Sequence, residues 1–178
     1  MDIQIDSREK QKAITKIIKE FEGQKIGYYI SKLWVGDYMS LDNPRLIIDR
    51  KQSLSEVCSN LTQQHKRFRD EAVRAKERGI QLVILVEHSP YVKSIEDVEE
   101  WTNWRFSQYC RKYGFQAGKG REKEIAEFVR HGGQKPPTSG LTLSRQMRTM
   151  QERYGIRWEF CSKAQTGKRI IEILRDGL

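Results

Sequence analysis

Asp37, Asp49 and Lys51 are of the residue types that phosphodiester hydrolysis requires. Cutting a phosphodiester needs a divalent cation to neutralise charge developing on phosphorus and to acidify a bound water, plus a base or cation that positions the water. Magnesium and manganese are hard ions that prefer carboxylate oxygens. Asp49 and Lys51 stand where the apolar run Leu46-Ile47-Ile48 ends, and residues two apart on a strand share a face. Asp37, in Gly36-Asp37-Tyr38, precedes the strand expected to form the other arm of a hairpin turning at 42 to 45, so its carboxylate can come beside that of Asp49. Two acids and a lysine then meet at the edge of a sheet. On spacing alone the pattern is loose, because any solvated strand end reading Asp-Arg-Lys satisfies it.

The elements that must position these groups are readable from periodicity. Ile3 and Ile5 alternate with polar residues as in a strand, and Ala13, Ile14, Ile17, Ile18 and Phe21 recur at helical spacing before Gly23. Residues 26 to 48 read as two or three strands. Ser53 or Ser55 can cap a long basic helix running to about Arg78, and Gln81 to Val86 reads as a buried strand. The order strand, helix, strands, helix, strand predicts an α/β domain, a mixed central sheet flanked by helices. Residues 88 to 140 break the rhythm, with short helical patterns, the Gly-rich AGKG at 117 to 120 and the loop HGGQKPPTSG, and read as a partly helical insertion. Residues 141 to 178 then supply a closing helix, strand and helix, so that the whole chain, 1 to 178, is expected to form one domain.

Composition narrows the partners. With 33 Lys and Arg against 24 Asp and Glu, the net charge of +9 points to a polyanion and away from small neutral metabolites. Three scattered cysteines and three scattered histidines give neither a disulfide framework nor zinc-ligand spacing, which suits a reducing compartment. No apolar run approaches the roughly 18 residues of a membrane span, so no membrane partner is expected and a cytoplasmic location is. The stretch Gln165-Thr166-Gly167-Lys168 does not satisfy the P-loop pattern, and no nucleotide cofactor is expected.

The wider ordered set is more specific. Asp6-Ser7-Arg8-Glu9 closes the first strand, Gly36-Asp37-Tyr38 follows, then Ile48-Asp49-Arg50-Lys51-Gln52-Ser53, and the strand LVILVE ends at Glu87. This set resembles the XPF-type nuclease domain of the PD-(D/E)XK superfamily, marked by D-x-R-E, G-D-Y and E-R-K-x-x-x-D, and covers residues 1 to about 90. The resemblance implies a restriction-endonuclease-like fold, with magnesium or manganese held by Asp37 and Asp49 and water activated by Lys51. It also implies a supporting role for Asp6, Arg8, Glu9 and Arg50 around the scissile phosphate. Two positions depart: Asp49 stands where the family has Glu, and the motif's last acid falls on Ser55, with Glu56 next in line.

DNA could be gripped by the basic helix through Lys66, Arg67 and Arg69, and by the insertion through Arg111, Lys112, Lys119, Arg121 and Lys123. Trp101, Trp104, Tyr109 and Tyr113 could stack on unpaired bases, but Trp101 and Trp104 are three apart, the spacing of a buried helix face, and core packing is the expectation for both. The resemblance implies a metal-dependent endonuclease for branched or flapped DNA, and a homodimer is in keeping with the family. The lack of accessory modules is similar to a phage or mobile-element enzyme. Two competing readings stay open: a DNA-binding pseudo-nuclease scaffold and a restriction-type duplex nuclease.

Overall fold

The computed structural model describes residues 1–117 and 120–177. Its centre is a six-stranded mixed sheet in the order β2-β1-β3-β4-β5-β6, made of β1 (Asp2–Asp6), β2 (Gly27–Ser31), β3 (Tyr38–Ser40), β4 (Asn43–Lys51), β5 (Gln81–Glu87) and β6 (Arg157–Cys161). Three pairings are parallel, β1 with β2, β4 with β5 and β5 with β6, while β3 runs antiparallel to both β1 and β4. This is the expected α/β class. Helices α1 (Gln11–Gly23) and α7 (Thr166–Asp176) cover one face. Helices α2 (Leu54–Thr62), α3 (His65–Glu77) and α6 (Gly140–Tyr154) cover the other.

Strand periodicity sorts the core. Val83 and Leu85 join Ile3, Ile5 and Ile48 under the isoleucine stripes of α1 and α7. Leu82, Ile84 and Val86 join Val57, Leu61, Phe68 and Met147 on the opposite side. β4 obeys the same rule: Leu46 and Ile48 belong with α1 and α7, so Asp49 and Lys51 face α2 and α3. Helices α4 (Trp104–Tyr113) and α5 (Arg121–Arg130) enclose a small cluster of their own around Phe106, Tyr109, Cys110 and Ile125. A short 3-10 turn, Asp97–Glu100, packs on α6 through buried Val98. Among the described residues no helix is long and apolar enough to cross a membrane.

Two local expectations are corrected. The hairpin turns on Leu41 and Asp42, not at 42 to 45, because Ser40 already faces Asn43 in register and the Ser40 hydroxyl accepts the Asp42 N–H at 3.2 Å. Pro44, which has no N–H to give a ladder, is tolerated near the start of β4. The long basic helix is two helices. Ser53 caps α2, its hydroxyl accepting from Glu56 N at 3.2 Å, but residues 62 to 67 are all exposed, so no apolar anchor spans that turn. Gln64 leaves helical angles (φ −108°, ψ 20°) and α3 begins afresh.

Candidate active site

The hairpin β3–β4 and the end of β1 build the site from main-chain contacts. Gly36 takes φ +64°, and a Cβ there would meet Ile48 O at 2.9 Å and the Ile47 side chain at 2.6 Å, so only glycine lets the chain approach β4 this closely. Its neighbour is thereby pinned on both sides: Asp37 N donates to Ile48 O at 2.7 Å and Asp37 O accepts from Asp6 N at 2.8 Å. The Asp37 carboxylate accepts the Arg50 N–H at 2.8 Å. Gly36 N in turn donates to Glu71 on α3 at 3.2 Å.

On the α2 and α3 side, Asp49 is 4% exposed and holds the Lys51 ammonium, with contacts of 2.8 Å to Oδ1 and 2.7 Å to Oδ2. Only the first has hydrogen-bond geometry. Asp49 Oδ2 therefore remains a buried carboxylate oxygen without a directed donor, despite the nearby charge. Burial, then repulsion from Asp49 and Glu9, pushes the Asp37 carboxyl well above the usual aspartate range. Burial would lower Lys51, but the attraction of Asp49, helped by Asp37 and Glu56, outweighs it and keeps the ammonium charged. Lys51 opens into a cleft of about 210 Å³ lined also by Glu56, Asn60, Arg67, Phe68 and Glu71. Its ammonium stands 5.7 Å from the Phe68 ring centre.

These donors suit a hard cation. Two carboxylates that repel each other, one with an unsatisfied oxygen, are what a divalent ion stabilises. Among the described residues no three or more His, Cys, Asp or Glu side chains converge as a metal site.

The remaining residues picked from sequence divide by location. Asp6 is fully buried, accepts from Leu33 N at 2.6 Å and Arg8 N at 2.7 Å, and takes two bonds from the exposed Arg8 guanidinium at 2.7 and 3.0 Å. Burial opposes its charge, yet those donors hold Asp6 below the usual aspartate range. It latches the end of β1 to the loop that leads to Asp37. Of Arg50 and Glu9, expected around the scissile phosphate, Glu9 is near enough to repel Asp37, and strand alternation sends the Arg50 side chain to the opposite face from Asp49 and Lys51. There it bonds Glu9 at 2.7 and 3.0 Å and Glu87 at 2.9 Å, beneath the Tyr38 hydroxyl, which donates to Glu9 at 2.9 Å. Burial disfavours the Arg50 charge, but Tyr38 and Glu9 raise its pKa regardless.

Several members of this constellation went unassigned in the sequence. Glu87 sits at core parity on β5, 3% exposed, and receives the Thr166 hydroxyl at 3.0 Å; Thr166 thus anchors the network from α7. Glu71 lies three residues after Phe68 on the helix face turned to the sheet, a position where an acid is unusual and could have drawn notice. Of the two candidates for the last acid, Glu56 lines the Lys51 cleft, while Ser55 is exposed on another groove.

Among the DNA-contact candidates, Lys66 and Arg67 are exposed beside the Lys51 cleft, whereas Arg69 pairs with Asp70 at 3.2 Å. Arg111, Lys112 and Lys123 are exposed on α4 and α5, and Arg121 lies against the Phe106 ring at 5.1 Å. Lys119 lies outside the described residues. The paired burial expected of the tryptophans holds for half-buried Trp101, which packs on the core, but Trp104 is 70% exposed. Asn103 caps a new helix between them, so three-residue spacing does not carry across. Tyr109 and Tyr113 pack together, ring centres 4.9 Å apart.

Residues 5–174 match the ERCC4 domain model. Among solved structures the chain is similar to XPF from Aeropyrum pernix (TM-score 0.59, 21% identity, 99% of this chain and 65% of that one). It is likewise similar to XPF from Aeropyrum pernix in complex with DNA (TM-score 0.58, 20% identity, 99% and 64%). The chain thus spans just under two thirds of those proteins' length, and likeness at that identity bears on the fold. No curated protein matches the sequence. With the family pattern matched over nearly its whole length, the chain belongs to the ERCC4 domain family, the XPF-type nuclease domains.

Proposed function

We propose that the protein is a divalent-metal-dependent DNA endonuclease acting on branched or flapped DNA. The observation that carries this reading is the closeness of Asp37, Asp49 and Lys51, each perturbing the charge of the others, where Lys51 opens into a cleft. Asp37 and Asp49 would hold magnesium or manganese, which when bound would offset charge on the phosphate and acidify a water. Lys51, kept protonated by its acidic neighbours, positions that water and meets the negative charge that grows on the phosphate oxygens. Water oxygen joins phosphorus, one P–O ester bond breaks, and the departing alkoxide takes a proton. Asp6 and Gly36 hold the loop that aims Asp37, while the Glu9–Arg50–Glu87 network braces β4 from behind. The basic surface and exposed Lys66 and Arg67 suit a phosphate backbone. A homodimer is part of the proposal on family grounds.

A binding-only scaffold is favoured by one observation: among the described residues no three or more metal-type side chains gather as a site. Cleavage of labelled flap, fork, four-way junction and linear duplex, in magnesium, manganese or chelator, decides between them. The endonuclease reading expects metal-dependent cutting of branched forms that Lys51→Ala and Asp49→Asn lose while still binding. Binding without cutting in either metal gives the scaffold; equal cutting of linear duplex gives the restriction-type alternative.

A further inference from the structure

We propose that the groove between α2 and the start of α4 takes an unpaired base of single-stranded DNA, stacked on Trp104, with Arg105 on the adjoining phosphate. The identity of the strand as DNA rests on the nuclease reading above. The groove, about 530 Å³, is walled by Ser55, Cys58 and Thr62 from α2 and by Trp101, Trp104 and Arg105. That volume is within the roughly 300–1,000 Å³ typical of small-ligand sites. Trp101 is half-buried against the core, whereas the Trp104 indole is 70% exposed at the first position of α4.

The platform is fixed rather than floppy. Asn103 accepts the Phe106 N–H at 2.8 Å and donates to Thr138 O at 2.7 Å, which sets the backbone that presents Trp104. Trp34, also exposed, already carries the Arg78 guanidinium over one ring face at 3.4 Å and does not line this groove.

Charge and continuity select the occupant. Among the described residues the groove's lining holds no acid, and Arg105 is its one charge. It shares Ser59 with the Lys51 cleft and Gln63 with the depression at the α2–α3 break, where Lys66, Arg67 and Arg74 outnumber Asp70. Gln64 and Arg67 in turn belong to both that depression and the Lys51 cleft. One track therefore runs from the candidate catalytic lysine, past cations, to a free indole. Phosphates need the cations and an exposed base needs the aromatic face; bases inside a duplex are already stacked and would gain nothing from Trp104.

The test is fluorescence anisotropy of a labelled oligo-dT in chelator, where nothing depends on cleavage, with Trp104→Ala, Trp104→Phe, Arg105→Ala and, as control, Trp34→Ala. Base stacking of ordinary strength predicts about 5- to 150-fold weaker binding for Trp104→Ala. Trp104→Phe should keep most of the affinity, and Arg105→Ala should lower the salt slope by about one. An oligomer with abasic sites should bind wild type about as weakly as Trp104→Ala binds dT. Wild-type affinity for dT in Trp104→Ala overturns the proposal, as does an equal loss in Trp34→Ala. A wild-type dimer that Trp104→Ala dissociates on sedimentation also overturns it, by giving the groove to a second copy. Failure of cleavage with every substrate, alongside a Trp104-dependent dT complex, would sink the nuclease reading while leaving the groove in place.

Discussion

Replacing Arg50 with methionine is a sharp test of how β4 is held. The guanidinium is 2% exposed and faces Glu87, 3% exposed, at 2.9 Å, with Glu9 at 2.7 Å on its other side. Removing it leaves Glu87 charged and buried, with the Thr166 hydroxyl and no cation, and its Oε2 already lacks a partner. Breaking a buried pair from one side costs about 3–5 kcal/mol, a large part of the roughly 5–15 kcal/mol that holds a domain folded. For a chain of this length each kcal/mol moves the melting temperature by about 2–4 °C, so Arg50→Met should fall by roughly 6–20 °C. The double variant Arg50→Met, Glu87→Leu removes both charges of this pair and should recover part of the loss, showing up, against the single Glu87→Leu variant, as coupling of about 1–3 kcal/mol. Arg148 and Glu99, a pair at 2.8 Å with both side chains more than a third exposed, give the comparison: Arg148→Met should leave the melting temperature nearly unchanged. Urea unfolding and calorimetry at neutral pH in chelator read them all. If Arg50→Met costs no more than Arg148→Met, or the double variant is simply additive, the bracing role of the network is refuted.

Asp37→Asn should stabilise the fold while disabling the site. Its carboxyl is raised above the ordinary value of 3.8, by burial first and then by Asp49 and Glu9, so the folded state binds this proton more tightly than the unfolded chain does. Its stabilising effect is complete below that ordinary value and is lost as pH rises through the raised one. Asn carries no charge to lose, so the variant's melting temperature in chelator should exceed that of wild type at about pH 8 and converge with it in acid. The magnesium-induced thermal shift should shrink; an unchanged melting temperature at the higher pH would contradict the argument. Gly36→Ala puts a Cβ against Ile48 O at φ +64°, costing about 1–2 kcal/mol for the backbone alone. By displacing Asp37 it should slow cleavage by about 10- to 100-fold with DNA binding kept, and a wild-type cleavage rate would show that the close approach is dispensable.

What the sequence disclosed and what it hid follow from the range of each contact. Period two along β4 is a local property, so the common face of Asp49 and Lys51 was readable; the same rule carried one residue further sends Arg50 to the other side. The isoleucines of α1 and the run Leu82 to Val86 likewise announce their burial. Glu71 meets Gly36 across 35 positions and Thr166 meets Glu87 across 79, and no local spacing signals such pairs. The two tryptophans misled for a different reason: periodicity assumes one continuous helix, and the Asn103 cap ends that assumption between them.

The parallel edge formed by β5 and β6 also bears on how the protein is made. Asp37 and Asp49 are brought together by the local hairpin β3–β4, whose arms are only a few residues apart in sequence. β6 is separated from its partner by some seventy residues, so β5 waits for that much chain to be made before the pair can close. In the interval β5 offers an open backbone edge flanked by Leu82, Val83, Ile84, Leu85 and Val86, and Glu87 lacks the Thr166 hydroxyl. Such an edge is a template for pairing with another chain, so β6 doubles as a seal against misassembly.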